Sequence, residues 1–154
     1  VDRRRIGPCL TQAPIYMHDR GVISVNLAIA LRAAGVTWQP APGDHFVIPD
    51  RDLDDQTFVL SDMIVQVYEL PRSTVIGFNG TTEWALDDIE RDEAIWLPRE
   101  DQLRDLLGDG FERLERNSDG YTVIVRDLPE ATGRSAEDAY GNALLLLRAR
   151  AGNA

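Results

Sequence analysis

The sequence has no lysine and a single cysteine, and each shortage excludes a class of chemistry. Every cationic residue is an arginine, 16 in all, which rules out Schiff-base lysines, lysine general bases and the lysine of a phosphate-binding P-loop. Because Cys9 is the only cysteine, no intramolecular disulfide can form, and packing must hold the fold together. Such cysteine usage is typical of a reducing compartment, so we expect a cytoplasmic protein.

Long apolar runs are also missing. The longest, 27–31 and 143–147, have five residues each, whereas a helix that spans a bilayer needs about 20. The stretch "VDRRRIGPCL" is basic at its start but lacks the apolar core of a signal peptide. We therefore expect no association with a membrane.

Positive charge is scarce relative to negative charge. The formal net charge is −10 and the pI is about 4.6, so the surface should repel phosphate backbones. The one compact basic run is Arg3–Arg5. The sequence contains no G-x-S-x-G, P-loop or G-x-G-x-x-G motif. It therefore predicts no nucleic-acid partner and no cofactor.

The length and periodicity predict one α+β domain. A chain of 154 residues is long enough to bury one core. Residues 1–21 have no periodicity and predict a flexible or dispensable extension, followed by a single globular domain over 22–154. We expect an antiparallel meander sheet of five to seven strands, with three to four helices packed mainly on one face.

Local patterns place the elements along the chain. Ser24 and Gly35 are typical of the start and end of a first helix, and 81–94 predicts a second helix capped by Thr81 or Thr82. A third helix begins near Pro98, and a C-terminal helix is capped by Ser135. Short stretches rich in β-branched and aromatic residues predict strands: 36–39, 44–49, 57–62, 63–70, 73–79, 94–98 and a hairpin over 111–127 with Asp-Gly at its turn.

Two acidic clusters are candidate sites. Asp50, Asp52 and Asp54 match the first positions of an EF-hand loop, but Asp55 and Ser61 stand where that loop needs glycine and glutamate. They remain the ligands of an alternative metal site.

The second cluster spans 83–93 on the predicted second helix. Glu83 and Asp87 have the spacing of paired carboxylates on one helical face. Carboxylates in the later half of a helix are disfavoured by its dipole, which indicates a positively charged partner. Our candidate partner-binding residues are Trp84, Asp87, Asp88 and Glu90.

Histidine and tryptophan add little chemistry. His18, His45 and Cys9 are the only soft metal ligands, which does not favour zinc. Asp44 could orient the His45 imidazole as a general base, but no nucleophile pattern accompanies it, so a histidine at the edge of a turn is favoured. We expect the tryptophans to be core residues with satisfied indole N–H groups rather than contact anchors: Trp38, Trp84 and Trp96.

Three segments resemble a family of small acidic actinobacterial proteins. They are "ISVNLAIALRAAGVTWQPAPGDHFVIP", "VIGFNGTTEWALDDIERDEAIWLPREDQLRDLLG" and "EDAYGNALLLL", and the resemblance covers about 22–147. Some members are automatically labelled "pilus assembly protein", but the ATPase behind that label needs a lysine-containing phosphate loop, which this chain lacks. The family implies no catalytic residues.

These observations favour a non-catalytic interaction or accessory protein with an acidic surface and a protein partner that the sequence does not identify. Two alternatives stay open: a small metal-assisted hydrolase that uses the clustered carboxylates, and a small-ligand-binding domain with an apolar pocket. The sequence predicts no catalytic residue and leaves the oligomeric state open.

Overall fold

The computed structural model describes residues 21–49, 56–60, 65–70, 73–78 and 89–152. Within these ranges the chain forms three α-helices and nine short strands. The helices are α1 (Val25–Ala33), α2 (Glu100–Leu107) and α3 (Ala136–Gly152). The strands are β1 (His45–Val47), β2 (Phe58–Val59), β3 (Val65–Leu70), β4 (Ser73–Phe78), β5 (Ile89–Glu90), β6 (Ile95–Leu97), β7 (Phe111–Asn117), β8 (Gly120–Val125) and β9 (Ala131–Gly133).

The predicted α+β class is confirmed, and every pairing between these strands is antiparallel. The strands divide into three sheets of three, in the orders β2-β1-β6, β3-β4-β5 and β7-β8-β9. This differs from the single meander sheet that the sequence predicted. Packing of the helices on one face is not confirmed. Strands of two or three residues are too short to extend one continuous sheet.

The first helix ends where the sequence predicted. Gly35 has a φ of +83°, a conformation that suits glycine at the position after a helix. The Val36 N–H donates to the Leu31 carbonyl at 3.0 Å, and the Gly35 N–H donates to the Arg32 carbonyl at 3.0 Å. These two bonds form a Schellman motif, which satisfies carbonyls at the end of α1 and turns the chain toward Trp38.

Helix α3 lies at the centre of the fold, in contact with α1, α2, β8 and β9. The predicted cap is confirmed, since the Ser135 Oγ accepts the Asp138 N–H at 3.1 Å. The Asp138 carboxylate in turn accepts the Ser24 N–H at 2.9 Å, which joins the starts of α1 and α3. The helix buries three small residues, one tyrosine and one leucine: Ala139, Gly141, Ala143, Tyr140 and Leu144.

Two apolar clusters lie on opposite faces of the β2-β1-β6 sheet. Because neighbouring side chains in a strand alternate between faces, Val47, paired with Ile95, joins the larger cluster built around α3. Phe46, paired with Trp96, lies on the other face in the smaller cluster. The smaller cluster contains Trp38, Phe46, Ile48, Leu60 and Ala94.

The helix predicted over 81–94 is wrong for its later half. Ile89–Glu90 is a strand paired with β4, and Arg91–Glu93 is one turn of 3₁₀ helix. The Glu93 carboxylate accepts the Glu90 N–H at 3.1 Å, which completes a capping box. Asp92 and Glu93 therefore lie in the first turn of a 3₁₀ helix rather than at the end of an α-helix, so the dipole argument for a positively charged partner no longer holds.

None of the helices in the described ranges has the length and apolar character that crossing a bilayer requires.

Gly133 tests the packing of β9 against α3. A Cβ built there would overlap the backbone nitrogen of Ala139, and neither strand nor helix can move without losing core contacts. We expect Gly133→Ala to lower the free energy of unfolding by about 1–3 kcal/mol, measured by urea denaturation. The matched control is Gly152→Ala, where no atom lies within 4 Å of the new Cβ. Equal stability of the two variants would contradict the close approach.

Tyr140 gives the core a titratable group. Its side chain is 1% exposed, and its ring centroid lies 5.5 Å from that of Phe111. Burial, and after it the negative charge of Glu100, raises the pKa of the Tyr140 phenol above the ordinary value. Because the folded state holds this proton more tightly than the unfolded state, the associated stability is present below about pH 10 and declines as the pH rises further.

A difference titration checks this expectation. The absorbance of phenolate near 295 nm, compared between wild type and Tyr140→Phe, should show one tyrosine that ionises above pH 10 and is missing from the variant. The denaturation midpoint of the wild type should fall over the same range. A Tyr140 contribution that titrates at or below pH 10 would contradict the raised pKa.

Candidate binding cleft beside Asp44

The carboxylate of Asp44 is 1% exposed and has four polar partners. One oxygen accepts the Trp38 indole N–H at 2.9 Å and the Ala41 N–H at 3.0 Å. The other accepts the Gln102 side-chain amide at 2.6 Å and lies 3.6 Å from the Arg99 guanidinium. A buried carboxylate needs several donors to offset the loss of its hydration, and Asp44 has them.

The donors come from separate segments, so Asp44 joins them. Arg99 and Gln102 belong to the start of α2, where the Gln102 side chain also accepts the Arg99 N–H at 3.1 Å in a capping box. The Arg99 guanidinium donates to the Gly43 carbonyl at 2.7 Å. On the other side, the Leu60 N–H donates to the Asp44 carbonyl at 2.8 Å. The loop before β1, the end of β2 and the first turn of α2 are thereby held together.

Asp44 also fixes Trp38. Residues 36–39 form no strand, contrary to the prediction, because the chain leaves α1 and places the Trp38 indole on the Asp44 carboxylate. The ring centroid of Trp38 lies 5.7 Å from that of Phe46, which lies 5.5 Å from that of Phe58. Trp38 is 7% exposed, which confirms it as a core residue with a satisfied N–H.

A cleft of about 160 Å³ opens beside this aromatic cluster. Its floor is formed by α1 and by the chain on either side of β6, and most of the floor residues are apolar and buried. The lining residues are Ala28, Leu31, Arg32, Gly35, Val36, Thr37, Trp38, Arg91, Asp92, Ala94, Trp96 and Pro98. The volume is below the roughly 300–1,000 Å³ of pockets for small-molecule ligands, so the cleft suits a single side chain.

The charged residues of the described lining lie at the exposed mouth of the cleft. The Arg32 guanidinium donates to the Asp92 carbonyl at 2.8 Å, which connects α1 to the turn before β6. Arg32, Arg91 and Asp92 are all exposed. Within the described ranges, the side chains of Arg91 and Asp92 make no hydrogen bond or ion pair.

Trp96 differs from Trp38 in its polar contact. Its side chain is partly buried, and its indole nitrogen is buried without an acceptor among the described residues. The prediction of a satisfied indole N–H is therefore wrong for Trp96. An unmet buried donor costs about 1–3 kcal/mol relative to one with a partner, a cost that the packing of Trp96 against both apolar clusters must offset.

The structure describes one of the candidate partner-binding residues. Glu90 is exposed on β5, directly before Arg91 and Asp92 at the mouth of the cleft. The remaining candidates lie outside the described residues: Trp84, Asp87 and Asp88 of the partner-binding set, and Asp50, Asp52 and Asp54 of the alternative metal site. Among the described residues no cluster of histidine, cysteine and carboxylate side chains could hold a metal ion.

Asp44 does not orient His45. Both carboxylate oxygens of Asp44 accept hydrogen bonds from other groups, and the His45 Nδ1 is buried without a partner in the described part of the chain. The aspartate–histidine pair considered from the sequence therefore lacks the hydrogen bond that a general base would need.

Sequence reasoning missed most of the cleft. Arg32 lies in the last turn of α1. A basic residue there is already explained by its favourable interaction with the helix dipole, so it does not by itself indicate a binding site. Arg91 stands alone among acidic residues in the sequence, with no local pattern that marks it as part of a site. The available signal was the separation of Trp38 from Asp44 by a turn rich in proline and glycine, since such a turn can bring an indole N–H back to a carboxylate.

Comparison with known proteins finds no matching family, no matching curated protein and no matching solved structure.

Replacement of Asp44 tests whether its carboxylate holds the cleft wall. Asp44→Asn keeps the shape but replaces one acceptor oxygen with an NH₂ group that faces other donors, so we expect a loss of about 3–5 kcal/mol in the free energy of unfolding. The control, Asp101→Asn, removes the exposed partner of Arg99 and should cost less than about 1 kcal/mol. Urea denaturation, monitored by tryptophan fluorescence, measures both losses. Similar losses for the two variants would show that the buried contacts of Asp44 stabilise the fold no more than an exposed ion pair does.

Proposed function

We propose that this protein is a non-catalytic interaction or accessory protein that docks a partner protein at the cleft between α1 and β6. The observation that carries the proposal is a small concave apolar floor, walled by the buried Trp38, with the partly buried Trp96 and the exposed Arg32 and Arg91 beside it. Tryptophan and arginine are the residue types most enriched among the side chains that dominate binding energy at protein interfaces. The resemblance to small acidic actinobacterial proteins supports no more specific role.

The size of the cleft supports a protein partner over a free small molecule. At about 160 Å³ it has room for one anchoring side chain, and the rest of a small ligand would stay in solvent. A partner protein can bury further area around such an anchor, which excludes water from it.

The acidic segment extends the proposed surface. Glu90, Asp92 and Glu93 are exposed beside the mouth, and the sequence continues this acidity through Asp87 and Asp88. Charges at the rim of an interface affect the association rate and the choice of partner more than the final affinity. We therefore retain Glu90 as a candidate residue at the rim, keep Trp84, Asp87 and Asp88 as partner-binding candidates from the sequence alone, and assign the anchor position to the cleft.

A bulky side chain at the mouth of the cleft tests the proposal. Thr37 is exposed and lines the cleft, so Thr37→Tyr should block the cleft without disturbing the core. We expect a protein captured from native lysate by the wild type to be retained at least about tenfold less by the variant, as measured by quantitative mass spectrometry.

The matched control is Thr132→Tyr, at an exposed position on β9 outside the cleft. It should capture the partner as the wild type does, and both variants should keep the wild-type denaturation midpoint. If the two variants capture the same proteins in the same amounts, the cleft is not the docking site.

A further inference from the structure

The polar groups that line the cleft are mostly hydrogen-bond donors. Arg91 makes no hydrogen bond or ion pair among the described residues. Arg32 uses one of its five N–H groups on the Asp92 carbonyl. Among the described lining residues, Asp92 supplies the single carboxylate. An occupant that brings oxygen acceptors would therefore find more partners than one that brings donors.

We infer that the anchor taken by the cleft is the C-terminal residue of the partner chain, with an apolar side chain and a free α-carboxylate; this inference rests on the proposed function. The aliphatic side chain packs on the floor formed by Ala28, Leu31, Val36 and Ala94, and the carboxylate lies at the mouth, where Arg32 and Arg91 are. Guanidinium groups bind carboxylates through two parallel N–H donors, which adds both energy and direction.

The separation of apolar floor and charged mouth selects this occupant over an acidic side chain. A glutamate or aspartate side chain that entered the cleft would place its carboxylate among the buried aliphatic side chains of the floor, away from the exposed Arg32 and Arg91 guanidinium groups. A C-terminal residue carries its side chain and its carboxylate on the same carbon, so one group can reach the floor while the other stays at the mouth. A lysine or arginine anchor fails for the same reason as an acidic one, because its charge would reach a floor without acceptors.

The negative charge of Asp92 should repel the α-carboxylate of the bound C-terminal residue, and this repulsion can be tested. It lies at the same mouth as Arg91, so removal of its charge should strengthen binding, whereas removal of the Arg91 charge should weaken it. Neither change should affect a ligand that has the same side chain without the charge. This pattern of opposite effects distinguishes a carboxylate site from an apolar slot.

The experiment uses the full chain and a minimal mimic of a C-terminal residue, N-acetyl-L-leucine, with N-acetyl-L-leucinamide as the uncharged control. The ¹⁵N-labelled indole N–H signals are followed by NMR during titration. We expect the acid to shift the Trp96 signal with an affinity at least about tenfold above that of the amide. The Trp38 signal, whose N–H is already bound to Asp44, should shift less and reports that the fold is intact.

Two variants complete the test. Arg91→Gln should weaken binding of the acid by about tenfold, and Asp92→Asn should tighten it about two- to fivefold. Both residues are exposed, so neither change should alter the unfolding midpoint.

The outcomes separate this inference from the proposed function. Preference for the acid, with opposite effects of the two variants, supports it. Equal binding of acid and amide would show that the cleft does not select a carboxylate. It would remain consistent with the proposed docking of an apolar side chain in the cleft. If neither ligand shifts the Trp96 signal, the C-terminal anchor is wrong, and the Thr37→Tyr capture experiment alone then decides whether a partner docks at this cleft.

Discussion

The burial of one carboxylate constrains much of the described structure. Asp44 cannot leave water without donors, and those donors come from the loop after α1 and from the first turn of α2. Replacement of such a group by apolar residues is often neutral for stability, whereas loss of one partner is costly. We attribute to Asp44 a role in specificity, since its contacts allow only one arrangement of Trp38 relative to α2. The wall of the cleft is part of that arrangement.

The cleft depends on two further contacts that are individually modest. The Schellman motif at Gly35 directs the chain from α1 toward Trp38, and the hydrogen bond from Arg32 to the Asp92 carbonyl holds the turn before β6 against the helix. Both lie at the surface or at a helix end, where hydrogen bonds contribute about 0.5–1.5 kcal/mol each.

The sequence predicted the elements whose signals are local. The glycine after α1, the serine that caps α3 and the Asp-Gly turn of the hairpin each act within a few residues, and all three are found. It failed at Ile89–Glu93, where pairing with β4 and a capping box outweigh the helical pattern of the preceding residues. Strand β9 escaped notice because it has only three residues and no apolar alternation.

The candidate site was harder to predict than the helices and turns because its contacts join residues that are far apart in the sequence. Gln102 and Arg99 reach Asp44 across 58 and 55 residues of sequence, and no local pattern reports such a meeting. The acidic cluster attracted attention because it is contiguous, while the residues of the cleft come from α1, the loop after it, and the segment around β6. Composition could not show where three distant segments would form a concavity.

The hydrogen bond from Ser24 to Asp138 has a consequence for how the chain reaches this structure. It joins residues 114 apart, and the apolar face of α1 is buried largely against residues of α3 and β6. A helix of nine residues is unstable alone in water. The 114-residue separation between Ser24 and Asp138 also makes this contact slow to form. In contrast, β7, β8, β9 and α3 are consecutive and contact one another directly. During synthesis α1 emerges early but can dock only after α3 has been made, so the element that forms one side of the cleft is among the last to find its place.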